Sequence, residues 1–109
     1  MKYKVIPTPE FIKNLKLLKK KYKNIKNDVL ALANKLEDNP MMGVALGNNT
    51  FKIRLKNSSN NKGKSAGYRV ITYCINEQNE IFLITIYSKS EKENILDSEL
   101  KELIAKINS

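Results

Sequence analysis

The chain has 109 residues, 41% of them apolar, which suits one compact domain with a real core; no apolar run nears the roughly 20 residues that span a bilayer. It has no histidine and a single cysteine, Cys74, which excludes an intrachain disulfide, Ser/His and Cys/His catalysis and the commonest zinc sites. The formal net charge of +9, from 20 basic and 11 acidic residues, favours a polyanionic partner such as nucleic acid, the ribosome or an anionic surface.

Residues 2–6 read as a short strand. Thr8-Pro9 then looks like an N-cap followed by proline at the first helical position. Phe11, Leu15, Leu18 and Tyr22 recur at spacings of four, three and four, which predicts a helix over about 9–22. Lys13, Lys16, Lys20 and Lys23 lie mostly off that stripe and read as a solvated face. A second helix is expected from about 24 to 38, with Ile25, Val29, Leu32 and Leu36 as its stripe and Asn39-Pro40 as its stop. The short junction makes the pair an antiparallel hairpin. Met41 to Thr50, with Gly43, Gly47 and an Asn pair, reads as a loop.

Three strands follow. Thr50 to Lys56 alternates strictly, with Phe51, Ile53 and Leu55 on one face and Lys52, Arg54 and Lys56 on the other. Gly67 to Ile75 and Glu80 to Tyr87 are apolar on both faces, as central strands would be, and Asn76 to Asn79 is the turn between them. Asn57 to Ser65 is a polar loop. The C-terminus is expected to be helical from about Glu91 to Ile107, with Ser90 as N-cap and Glu91 and Glu93 complementing the dipole. The order β-α-α-β-β-β-α implies an α+β domain: a helical hairpin on a mainly antiparallel four-stranded sheet, with a C-terminal helix. One domain over 1–109 is expected.

The cations are unevenly spread. Residues 39–76 hold six basic side chains (Lys52, Arg54, Lys56, Lys62, Lys64, Arg69) and no acid, whereas residues 77–109 hold four basic and seven acidic. Lys52, Arg54 and Lys56 sit roughly 6.6–6.8 Å apart along one strand face, near the spacing of successive phosphates. Such a row could cradle a nucleic-acid backbone or be a solvated face. Arg69 enters an apolar strand and must reach solvent, a carboxylate or a bound anion. Tyr87-Ser88-Lys89-Ser90 closes the last strand and opens the expected helix, a favourable place for an anion or an ordinary turn. Cys74 lies in an apolar run and reads as a small core residue.

Three segments carry a resemblance: Phe51-Lys52-Ile53-Arg54-Leu55-Lys56, Gly67-Tyr68-Arg69-Val70-Ile71-Thr72-Tyr73 and Ile86-Tyr87-Ser88-Lys89. In these, and in length, element order and basicity, the chain resembles the RelE/ParE toxin superfamily. The Lys-Gly-Lys-Ser-Ala-Gly run at 62–67 is similar to its HigB/RelE-like members. The resemblance implies a cytoplasmic toxin of a type II toxin–antitoxin system with a microbial ribonuclease fold. It further implies an endoribonuclease that enters the ribosomal A site and cuts messenger RNA, needing no metal or other cofactor and no membrane. Its partners would be a cognate antitoxin, messenger RNA and the ribosome.

Carried over by position, the resemblance makes Lys52 and Arg54 active-site cations, Arg69 a stabiliser of the phosphate transition state, and Lys89 an aid to phosphate binding or leaving-group protonation. Lys56, Lys62, Lys64 and Lys92 would bind RNA. Where RelE-type members have a tyrosine one turn into the last helix, this chain has Ile95, and Tyr87 is the nearest substitute as base. A lysine serves equally, since clustered cations favour a neutral member. Three other readings remain open: a ParE-like inhibitor of DNA gyrase without nuclease activity, a non-catalytic RNA-binding module, and an inactivated toxin.

Overall fold

The computed structural model describes residues 2–58, 67–91 and 94–108. Strand β1 (Lys4–Pro7) leads into helix α1 (Pro9–Lys19) through the expected cap. The Thr8 hydroxyl accepts from the Phe11 N–H at 3.2 Å, and Pro9 fills a position that needs no donor. The same Thr8 Oγ1 donates to the Leu83 carbonyl at 2.9 Å, so the cap also fastens the helix to the sheet. Helix α1 ends three residues before the predicted boundary. The Lys21 and Tyr22 N–H groups both turn back to the Leu18 carbonyl, which swings Tyr22 onto Tyr68 with ring centroids 5.4 Å apart, edge to face.

Helix α2 (Ile25–Asp38) buries Ile25, Val29, Leu32 and Leu36, the four residues of its sequence stripe. The next segment corrects the expectation of a loop from Met41 to Thr50. It contains strand β2 (Val44–Gly47), paired antiparallel to β3 (Thr50–Leu55). Asn48 and Asn49 both take positive φ, 53° and 63°, as a tight hairpin turn of the I′ type requires. The sheet therefore has five strands instead of four, in the order β1-β5-β4-β3-β2, with β4 (Tyr68–Ile75) and β5 (Glu80–Ser88) inside as their two apolar faces predicted. Among the described residues only β1 pairs in parallel, with β5. A 3-10 turn over Asn76–Gln78, closed by Asn79 at φ 53°, joins β4 to β5.

Helix α3 (Asp97–Asn108) corrects a second boundary. The helix starts six residues beyond the expected Glu91, and Ser90 is not its N-cap. The Ser90 hydroxyl instead lies 2.9 Å from that of Ser88, while Glu91 closes a turn onto the Ser88 carbonyl and pairs with Lys21 at 3.3 Å. Chain leaving β5 must fold back across the sheet before it can coil, and the apolar spacing of Ile95 and Leu96 continues outside the helix. Ile95 turns to the sheet and Leu96 is 68% exposed. Asp97 and Glu99 take the dipole position expected of Glu91 and Glu93. Glu93 falls outside the described residues.

The sheet separates two cores. On one side α1 and α2 pack Phe11, Leu18, Ile25, Val29, Leu32 and Leu36 against Ile53, Val70, Ile81, Leu83 and Ile86. On the other, a smaller cluster of Ile71, Ile84, Tyr87 and Leu103 is covered by Ile95, Leu100, Ile104 and Ile107. Cys74 is buried, as expected of a core residue. Among the described residues, no helix is long and apolar enough to cross a membrane.

Candidate nucleic-acid interface

Register decides which cations meet. Arg54 of β3 lies directly opposite Arg69 of β4, and Arg69 lies opposite Tyr87 of β5. One row along, Lys52 is opposite Ile71, and beyond it Val44 of β2. Since alternate residues share a face, Lys52, Arg54, Arg69 and Tyr87 fall on the α3 side of the sheet, where Ile71 and Tyr87 meet that helix. Two guanidinium-bearing residues directly opposed across an antiparallel pair repel one another. Arg54 is exposed and makes no ion pair among the described residues.

Arg69 differs from Arg54 in burial, at 4% exposed. One end of its guanidinium donates to the carbonyl of Tyr68 at 3.2 Å. Its strand begins at Gly67, where a Cβ would run into the Leu55 carbonyl oxygen, so only glycine lets β3 and β4 close together there. The Gly67 carbonyl accepts the Lys89 N–H at 3.0 Å, which ties the turn after β5 to the same end of the sheet.

Lys89 itself is exposed, and its side chain makes no hydrogen bond or ion pair among the described residues. Its turn is held from the opposite side. The Tyr22 hydroxyl lies 3.3 Å from Ser88 Oγ and 3.4 Å from Ser90 Oγ, hydrogen bonds that lower the Tyr22 pKa below the usual phenol value. Lys56 is exposed just beyond β3, at the same sheet end as Gly67 and Lys89. Lys62, Lys64 and Lys92, expected to bind RNA, lie outside the described residues.

Lys52 is half-buried and donates to the Asn94 side-chain oxygen at 3.3 Å. The two line a cavity of about 310 Å³ together with Leu46, Tyr87, Ile95, Asp97 and Leu100. Tyr87 sits at its floor, 7% exposed. Ile95, the residue aligned to the family's tyrosine, lies two residues before α3 instead of one turn inside it. A larger cavity of about 430 Å³ opens elsewhere, lined in part by Ile6, Pro7, Phe82, Leu103 and Ile107 and remote in the strand order from Lys52 and Arg54.

Sequence reasoning misses three lining residues: Leu46, Asn94 and Asp97. It reads Leu46 as loop, and Asn94 and Asp97 as the interior of a helix. Residues 39–76 hold no carboxylate, but the fold brings Asp97 to the Lys52 cavity and Asp28 to the backbone N–H of Ser58 at 3.1 Å.

The chain folds as the α+β domain that the sequence resemblance implies. The model of the RelE toxin family, described as the RelE toxin of the RelE/RelB toxin–antitoxin system, matches residues 11–108, and the chain belongs to that family. Family membership implies an antitoxin as its partner. Among solved structures, the fold is similar to a free-state Escherichia coli RelE toxin in which two arginines are replaced by alanine. That match has a TM-score of 0.63 and 18% identity, and it covers 98% of this chain and 99% of the other.

Proposed function

We infer that this toxin is a cytoplasmic, metal-independent endoribonuclease of the RelE/HigB kind that cuts messenger RNA in the ribosomal A site and so stops translation. The observation that carries the reading is the direct opposition of exposed Arg54 and buried Arg69 beside Lys52 on one sheet face. Cations gathered in this way are a setting that an RNA phosphodiester suits.

In this reading Arg54 and Arg69 bind the phosphoryl oxygens and neutralise charge as it develops on them. The 2′-oxygen forms a bond to phosphorus while the bond from phosphorus to O5′ breaks. The 2′-hydroxyl proton passes to Lys52 or Tyr87, and Lys89 supplies a proton to the departing O5′. Tyr87 lies beneath α3 while Lys52 lines the open cavity; Lys52 takes the proton only in its neutral form, and its ammonium form is the one that binds phosphate. The products are a 2′,3′-cyclic phosphate and a 5′-hydroxyl. Lys56, Lys62, Lys64 and Lys92 bind flanking phosphates, and the ribosome supplies the remaining orientation.

Primer extension on messenger from cells expressing the protein tests this. Codon-phased cuts in translated regions are expected, and Arg54→Ala should abolish them. Stalled replication with intact messenger would replace this reading with gyrase inhibition, and RNA binding without any cut would leave only a binding module.

A further inference from the structure

The cavity beside Lys52 is lined by two groups of opposite charge. One is the Lys52 ammonium. The other is the Asp97 carboxylate, exposed in the first turn of α3 and without an ion pair among the described residues. The walls are apolar: Leu46 from β2, Ile95 from the run before α3, and Leu100 from α3 itself. Its volume of about 310 Å³ is at the small end of the usual range for ligand pockets.

A phosphate is attracted by Lys52 and repelled by Asp97. What suits Asp97 is a neutral group that donates hydrogen bonds, and what suits the walls is a flat apolar body. The Asn94 side-chain oxygen already accepts from Lys52 at 3.3 Å, so the free capacity of that amide is as a donor. Together the cavity offers a cation for a phosphate, apolar walls for a ring, a carboxylate for an amino group and an amide N–H for a neighbouring acceptor. Cytosine has that edge, an exocyclic amino group beside a ring-nitrogen acceptor. Uracil presents a carbonyl oxygen in place of the amino group, where the carboxylate repels it.

We propose that this cavity is a nucleobase subsite, in which Asp97 and Asn94 select a base bearing an exocyclic amino group over uracil while Lys52 holds the attached phosphate. The inference rests on the reading of this sheet face as an RNA site, and it assigns β2 a purpose. The bulge between Ala45 and Gly47 sets Leu46 where it lines the cavity, though the strand, Leu46 included, is exposed along its whole length.

The test uses the full chain and two probes that cannot be cut through the 2′-oxygen: 2′-O-methyl tetracytidylate and 2′-O-methyl tetrauridylate. They match in size and charge and differ at the base edge. Titration at low salt should give cytidylate about a tenfold tighter Kd, the worth of one hydrogen bond to a charged acceptor. Asp97→Asn should bring the two probes within about twofold of each other by strengthening uridylate binding, because a negative charge has been removed. A merely unfolded variant would instead weaken both. Leu46→Asp should weaken both probes while leaving the far-ultraviolet circular dichroism unchanged. Equal affinities in the wild type, or a preference that survives Asp97→Asn, overturn the subsite while leaving the RNA reading intact. Failure of the wild type to bind either probe overturns the RNA reading and the subsite together.

Discussion

The two faces of the sheet are built to different ends. The face under α1 and α2 is closed: six helix residues meet six strand residues, and Ile25, Leu36, Val70 and Ile81 are fully buried. The α3 face holds only four buried core residues, and beyond them it opens into a cavity edged by Lys52 and Asp97 and a strip carrying Arg54 and Arg69. Stability is concentrated on one side, and the opposed arginines lie on the other. A small domain can carry opposed guanidinium groups only if some other part supplies the burial that keeps it folded. Here that part is the helical hairpin.

The sharpest way to break this contrast is to empty each core in turn. Phe11→Ala removes a ring that is 1% exposed from the hairpin side and should cost about 3–5 kcal/mol, enough to unfold much of the protein. Leu103→Ala removes the most buried residue of α3, at 9% exposed. It should cost about 2–3 kcal/mol, the low end for such truncations, because its surroundings are only half closed. Urea unfolding of both variants measures the difference. If Leu103→Ala proves the costlier change, the assignment of stability to the hairpin side is wrong.

Next in size is an effect on activity without one on folding. Arg54 is exposed and free of ion pairs among the described residues, so Arg54→Ala should change stability by no more than about 0.5 kcal/mol. Messenger cleavage should fall by about 10²–10³-fold, as when one preorganised donor to a developing anion is lost. Arg69→Ala is a poorer probe of chemistry, because a buried guanidinium is also part of the packing. Comparing the two by cleavage assay and urea titration separates the exposed half of the pair from the buried half. An Arg54→Ala protein that cuts as well as the wild type removes that residue from the mechanism.

What can be read from the sequence follows the same division. The closed side is legible almost residue by residue, because amphipathic helices and alternating strands write their burial into a period of 3.6 or 2. The stripe Ile25, Val29, Leu32, Leu36 and the alternation from Phe51 to Leu55 both survive in the fold. The opposition of Arg54 and Arg69 is not legible, since register depends on the β3–β4 pairing and not on either strand alone. Strand β2 escapes notice because four residues are too few to show a period, although Asn48-Asn49 between apolar residues is a hairpin signal in plain view. The start of α3 is misplaced because Ile95 and Leu96 continue an apolar spacing through chain that is not helical. Leu46, Asn94 and Asp97 are missed for these two reasons together.

The smallest effect probes the seam between helices and sheet. Tyr68 is fully buried, and its hydroxyl finds no hydrogen-bond partner among the described residues. Burial, with lesser contributions from nearby Asp28 and Tyr22, pushes its pKa well above the usual phenol value of 10.0. The folded protein therefore keeps this proton where the unfolded chain releases it. Below about pH 10 both states are protonated and the group has no effect on the slope. Above it the unfolded state binds fewer protons, so stability falls as pH rises. Tyr22 runs the other way, since its lowered pKa makes the folded state the first to lose a proton as pH rises. Tyr68→Phe removes the first contribution and leaves the second. At pH 7 the variant should match the wild type or gain a few tenths of a kcal/mol, because an unsatisfied buried hydroxyl is deleted. Between about pH 9 and 11.5, the range that brackets the ordinary phenol titration, it should lose stability less steeply than the wild type. The two proteins differ at this residue alone, so the difference between their urea-unfolding profiles isolates this one phenol. Parallel profiles would mean that the Tyr68 hydroxyl reaches solvent or a partner, and that the seam is looser than the burial of its ring implies.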